Sequence, residues 1–242
     1  MSGDAPRHRY VKPMWIGLNL LGFGVAGAVF GALQRAHSQR YYEVVTDALV
    51  AVRIETLDVT RSLAAFGAVV GTAQWLALRR ASFVRWWVVA TTLGWALAGS
   101  MVGLTSGLAL GSISNIGPHR PPAVALAGVF VATTAVAIVP SGAQWLILRR
   151  HVTAANRWPL VTLASLILGV TVGGIVVRWF LVEVVPWLTP YDFPSAKALV
   201  TVGAIVGVVY GTVTASWVDR HLLGHVDASA SVGDNRAARN AG

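Results

Sequence analysis

Between Val59 and Val182 this chain carries no aspartate or glutamate, and long apolar runs fill that gap. Similar runs flank it. They extend from about Met14 to Leu33, Leu63 to Leu78, Trp86 to Leu110, Ala123 to Leu148, Leu160 to Val182 and Ala198 to Val218. Most reach the roughly 20 residues that a helix needs to cross a hydrocarbon core about 30 Å thick. One globular core cannot hide this much apolar material: 55% of the residues are hydrophobic and 12% charged, about half the charged share of a soluble domain. The expected fold is all-α, a polytopic membrane protein of six transmembrane helices.

The gap in carboxylates also limits the chemistry. Proton relays through a membrane use carboxylates or histidines inside the spans. Here His8, His37, His119, His151, His221 and His225 all fall in loops or termini. They form no i, i+4 pair within a span and no HExxH motif, so no metal site is expected. Without cysteine there is no disulfide framework and no thiolate ligand set. No P-loop, nucleophile elbow or dinucleotide fingerprint is present. The expectation is a protein that is not an enzyme and uses no cofactor.

An internal repeat organises the chain. AQWLALRR, from Ala73 to Arg80, returns as AQWLILRR, from Ala143 to Arg150, with one difference in eight positions. A weaker third copy follows, in which Gly67, Val69, Gly71, Thr72 and Arg80 correspond to Gly207, Val209, Gly211, Thr212 and Arg220, and the Gln-Trp pair becomes Thr214 and Ala215. The preceding runs repeat as well. Trp15, Leu21, Gly22, Ala26, Gly27 and Gly31 match Trp87, Leu93, Gly94, Ala98, Gly99 and Gly103, and Trp158, Gly169 and Gly174 continue the series. The unit is a Trp-led outgoing helix, an outer loop and a returning helix ending in a basic pair. Three units fall at about 15–80, 87–150 and 158–220. Each would contain two crossings, so the repeats would be parallel, related by an axis along the membrane normal. A pseudo-threefold bundle and a row of hairpins both fit.

Cation placement gives an orientation. Arg7, Arg9, Lys12, Arg79, Arg80, Arg85, Arg149, Arg150, Arg157, Arg220, Arg236 and Arg239 fall on one side, and Arg35, Arg40, Arg53, Arg61, Arg120 and Lys197 on the other. By the positive-inside rule the first side is cytoplasmic, with both termini there and the protein in the inner membrane. The net charge of +9 is thus a topology signal, and nucleic acid is not an expected partner. Trp15, Trp75, Trp86, Trp87, Trp145, Trp158 and Trp217 all fall near the expected inner headgroup level, and Trp95 lies deep in a span. The basic start Arg7, Arg9 and Lys12 suggests a secretory signal, but the following run is long and lacks a convincing cleavage site, so it reads as an uncleaved first helix. The expected divisions are a cytoplasmic segment at 1–13, the membrane domain at 14–220 and a disordered cytoplasmic tail at 221–242. The mixed-charge stretch Gln34 to Thr60 is too polar to span and is expected to form a short helix or cap outside.

Gly67, Gly71, Gln74 and Leu78 share one helical face, and Ala137, Ser141, Gln144 and Leu148 repeat the pattern. Small residues let helix backbones approach, and a buried amide can bond across the contact, which makes helix packing the simpler role. The sharper alternative places Gln34, Gln74, Gln144 and Thr214 around a shared cavity for a lipid, quinone or small solute. Arg79, Arg80, Arg149 and Arg150 either orient the helices or also hold anionic lipid headgroups. Arg178, with Glu183 or Asp192 as partner, reads as a charge snorkelling to the outer interface.

The repeated GxxQWLxLRR-type sequence resembles a group of bacterial multi-pass membrane proteins in which a Gln-Trp-Leu-x-Leu-Arg-Arg helix end recurs. The resemblance covers most of the chain, and the third copy departs from it at Thr214 and Ala215. It implies the repeat architecture and brings no activity or ligand with it. The leading expectation is a structural, accessory or lipid-interacting membrane protein whose partners are membrane lipids, another membrane protein or a second copy. A transporter or channel with a path along the repeat axis is the alternative.

Overall fold

The structure is a computed structural model that describes residues 11–44, 48–79, 85–115, 122–152, 154–184 and 196–223. Side chains are described for these except at 37–44, 48–49, 51, 107–115, 122–130, 133, 177–184, 196–198 and 222–223. The described chain is all-helical. Six long helices follow in order: α1 (Val11–Val44), α2 (Ala48–Leu78), α3 (Trp87–Asn115), α4 (Pro122–Leu148), α5 (Trp158–Val184) and α6 (Ala196–Val218). A 3-10 turn, Ala155–Arg157, leads into α5, and a π turn, Asp219–Leu223, follows α6.

The sequence favours helix here for a solvent reason. Lipid offers no hydrogen bonds to a backbone, and a helix satisfies its own N–H and C=O groups within one segment. These helices are apolar nearly all round, as helices buried between lipid and protein are. The outward faces are apolar as well: Leu93, Leu97, Met101 and Leu104 of α3 and Leu160, Ile167, Val170 and Ile175 of α5 are exposed. Four segments among the described residues are long and apolar enough to cross a membrane: Val11–Ala36, Trp87–Ser106, Ala155–Val176 and Leu199–His221. A shorter apolar segment is Thr134–Leu148. Arg53, Glu55, Asp58 and Arg61 set the first half of α2 apart.

Each helix packs on the next, and α6 packs back on α1, so the six helices form a closed ring. Of the two arrangements open to the sequence, a bundle and a row, the chain adopts the closed one. Glycines bring most of the neighbours together. A Cβ added to Gly67 would lie 2.6 Å from Trp95 Cβ, tying α2 to α3, and one on Gly94 would lie 2.7 Å from Pro140 Cα, tying α3 to α4. At the closure between α1 and α6 the added Cβ of Gly207 would collide with the Asn19 carbonyl and that of Gly203 with the Phe23 carbonyl. Lys12 Nζ and Asp219 add an ion pair of 3.1 Å at the same closure.

One expectation needs correcting. The polar stretch Gln34 to Thr60 is not a separate outer element, because α1 runs on to Val44 and α2 already begins at Ala48. At 34 residues α1 is about 51 Å long, well beyond a core of about 30 Å. Charges at helical spacing sustain the extension of α2: Arg61 Nη1 donates to Asp58 Oδ1 at 3.4 Å, and Thr60 bonds back to the Thr56 carbonyl. Residues 1–10 and 224–242, and with them most of the expected tail, lie outside the described residues, as do Arg80 and the side chain of Arg178.

Candidate functional site

The candidate site begins with three tryptophans. Trp87 and Trp158 are the first residues of α3 and α5, Trp15 stands one turn into α1, and each is fully buried. Their depth in the chain suits an interface, but their rings turn inward. An indole N–H can only donate, so burial demands an acceptor on a neighbour. Trp87 Nε1 donates to Gln74 Oε1 at 3.0 Å, Trp158 Nε1 to Gln144 Oε1 at 3.0 Å, and Trp15 Nε1 to Thr214 Oγ1 at 2.8 Å. These bonds put the starts of α1, α3 and α5 level with the ends of α2, α4 and α6. All the turns bearing Arg79, Arg149 and Arg157 therefore sit at one end of the ring, here termed the arginine end.

The three pairs are joined. Gln74 Nε2 donates to Asn19 Oδ1 at 3.0 Å, and Asn19 Nδ2 donates to the Trp15 carbonyl at 2.8 Å. Gln144 Nε2 reaches both Gln74 Oε1 at 3.1 Å and Thr91 Oγ1 at 3.0 Å. Thr214 and Thr162 return their hydroxyls to the carbonyls of Tyr210 and Trp158, and Tyr210 and Gln74 border the same crevice. Because the indoles only donate, both glutamine oxygens must face them, which fixes the sense of each amide. Gln74 Oε1 then accepts twice, filling both lone pairs. One layer of side chains from α1 to α6 thus satisfies itself.

Leu78, Leu148 and Val218, one turn further toward the arginine end, are each fully buried. They follow one another at intervals of 70 residues and close the layer with an apolar plug.

On the other side of the layer lies an apolar cavity of about 280 Å³, lined from all six helices. Phe23, Trp95 and Leu166 come from α1, α3 and α5, and Phe66, Val136 and Val206 from α2, α4 and α6. The first three lie 72 and 71 residues apart, and the second three 70 and 70. Rings fill much of the wall: Phe66 stands 4.6 Å from Trp95 and 5.7 Å from Phe23, centroid to centroid. Between cavity and polar layer, a crevice bordered by Gln74, Ser141, Gln144 and Tyr210 has only about 10 Å³, room for about one water at most.

The residues singled out by sequence divide accordingly. Gln74, Gln144 and Thr214 meet in the polar layer, whereas Gln34 is elsewhere, donating to Ser62 Oγ at 3.2 Å between α1 and α2. Gly67 and Gly71 face α3, where an added Cβ would meet Trp95 and, at 3.0 Å, Thr91 Cβ. Arg79, Arg149 and Arg150 are exposed, and the Arg149 guanidinium lies 5.2 Å from the Trp145 ring centroid. No group of three or more metal-ligating side chains occurs among the described residues.

Sequence reasoning missed Asn19, Thr91, Thr162 and Tyr210. The signal was available for three of them. Asn19, Thr91 and Thr162 each stand four residues after a leading tryptophan, one helical turn on and facing the same way. Tyr210 has no such signature, since Val70 and Pro140 occupy its position in the other copies.

The chain matches no family model, no curated protein and no solved structure.

Proposed function

We propose that this protein crosses the bacterial inner membrane six times as three parallel hairpins around an axis, with both termini cytoplasmic, and serves without catalysis as a lipid-interacting component. The tryptophan bonds support the hairpin repeat. In each, the leading indole of one unit bonds the returning helix of the unit before it, and the first unit bonds the third, as a ring of equivalent parts would.

The observation that carries the reading is the cavity of about 280 Å³ with walls of Phe, Leu, Val and Trp. An apolar cavity of about 150 Å³ stays dry and takes up benzene. One of this size, surrounded by bilayer, suits a hydrocarbon chain and repels a hydrated solute. The glutamines give no support to a polar path, because their amide groups are spent on one another and on indoles.

The test is native mass spectrometry with lipid extraction, comparing purified wild type with Val136→Trp, which fills the cavity. Wild type should retain lipid and the variant should not, with both melting alike. A wild-type protein that carries no lipid out of the membrane would sink the proposal.

A further inference from the structure

We infer that the cavity is reached from the bilayer through the α4–α5 seam, and that its occupant is one acyl chain of an anionic phospholipid whose headgroup sits on Arg149, Arg150 and Arg157. The inference rests on the lipid-binding reading above and adds the route and the lipid class.

The seam differs from the other five. Every other neighbouring pair has a glycine in close approach: Gly22 to Ala73, Gly67 to Trp95, Gly94 to Pro140, Gly169 to Val206 and Gly207 to Asn19. Between α4 and α5 no described glycine does this, and Gly142 and Gly174 have nothing within 4 Å of an added Cβ. Among the described residues these two helices are also the least packed neighbours in the ring. Ile167 and Val170 border the cavity and are still 51% and 53% exposed, so one side of α5 faces the cavity wall and the outside together.

Charge identifies the headgroup. The link from α4 to α5 is a folded turn, with Val152 and His151 bonded back to the Leu148 carbonyl and Arg157 to Ala154. Val152 and Ala155 anchor it in the core. It holds Arg149, Arg150 and Arg157 exposed, in a stretch of sequence that has no carboxylate. Basic sites beside membrane helices on the cytoplasmic side hold anionic headgroups. Length agrees with this placement. Ile167 to Val170 lie 10 to 13 residues beyond Arg157, about 15 to 20 Å at 1.5 Å per residue. One leaflet of hydrocarbon is about 15 Å deep, so a chain hung from the arginines ends at the cavity.

The test is quenching of Trp95, which lines the cavity, by phospholipids brominated along the acyl chain, with the Trp95→Phe variant marking its share of the fluorescence. The protein is placed in vesicles of phosphatidylcholine with phosphatidylglycerol, and either lipid carries the bromine. Brominated phosphatidylglycerol should quench Trp95 more strongly than brominated phosphatidylcholine. Each arginine changed to glutamine should weaken that preference about fivefold, and Val170→Phe should reduce quenching by both lipids. Equal quenching by the two lipids, unchanged in the triple arginine variant, overturns the headgroup assignment and leaves the lipid-filled cavity standing. Quenching by both that persists in Val170→Phe overturns the seam as the route. No quenching of Trp95 by either lipid overturns this inference and the lipid-binding reading together.

Discussion

Replacing Gln144 by leucine tests the polar layer most directly, because the side chain keeps nearly its size and loses every hydrogen bond. Three bonds go: those to Gln74 Oε1, to Thr91 Oγ1 and from Trp158 Nε1. Interhelical bonds in a membrane contribute about 0.6 kcal/mol each on average, so the three account for about 1.8 kcal/mol. The Trp158 N–H is then buried without an acceptor, which adds about 1 to 3 kcal/mol. We therefore expect a loss of about 3 to 5 kcal/mol, well above one bond's worth. The Trp158→Phe variant leaves Gln144 Oε1 without its donor and also disturbs the ring contacts with Trp87 at 5.9 Å and Trp217 at 4.8 Å. The double variant removes donor and acceptor together, so it should be less destabilised than the two singles added, by about 0.6 to 1.7 kcal/mol or more. Unfolding by SDS in mixed micelles, followed by far-ultraviolet circular dichroism, measures all four corners of the cycle. Additivity to within about 0.3 kcal/mol would mean that the indole does not bond the amide, and the self-satisfied layer would be wrong.

Trp217→Phe is the control for that experiment: Trp217 Nε1 is buried with no hydrogen-bond partner among the described residues, so its removal should cost clearly less than Trp158→Phe in the same titration. Gly207→Ala should destabilise by about 1 to 3 kcal/mol because its Cβ would meet the Asn19 carbonyl. Gly142→Ala, with nothing within 4 Å, should be neutral or stabilising by up to about 1 kcal/mol; equal losses in a detergent melt would refute the packing assignment. A cysteine at His151 should be labelled by an impermeant thiol reagent only after cells are opened, and labelling of intact cells would reverse the orientation. Lys12→Ala should lower stability by no more than about 1 kcal/mol, since its pair with Asp219 is half-exposed at the lysine, and a loss of several kcal/mol would make that pair the true lock of the ring.

Helix content was legible in the sequence because a single solvent dictates it, and apolar runs of membrane length have few other ways to satisfy their backbones. The shared face of Gly67, Gly71 and Gln74 was also legible, since helical periodicity follows from spacing alone. What spacing could not supply was the partner across each contact. Trp15, Trp87 and Trp158 read as headgroup anchors, because the chemistry that makes an indole comfortable at an interface also suits it to a buried acceptor. Only the packed ring decides between them. Gln34 shows the converse: its residue type grouped it with Gln74 and Gln144, and its place on the far half of α1 gave it a different partner, Ser62. The extent of α1 and α2 beyond the apolar runs was hidden because hydropathy reports where lipid ends and not where a helix does.

The bond from Trp15 to Thr214 has a consequence for how freely the chain could be rewired. It makes the first helix a neighbour of the last, running in the opposite direction, just as α2 neighbours α3. A peptide joining the end of α6 to the start of α1 would then take the same part as the links that follow α2 and α4. The gene could be reopened at either of those links, and each rearranged product would keep the helix pairs α1–α2, α3–α4 and α5–α6 whole. Such circular permutants should insert and fold, because no contact in the ring depends on which hairpin is synthesised first. In the natural chain, by contrast, Trp15 and its acceptor Thr214 are 199 residues apart, so this bond can form only after the sixth helix has been made.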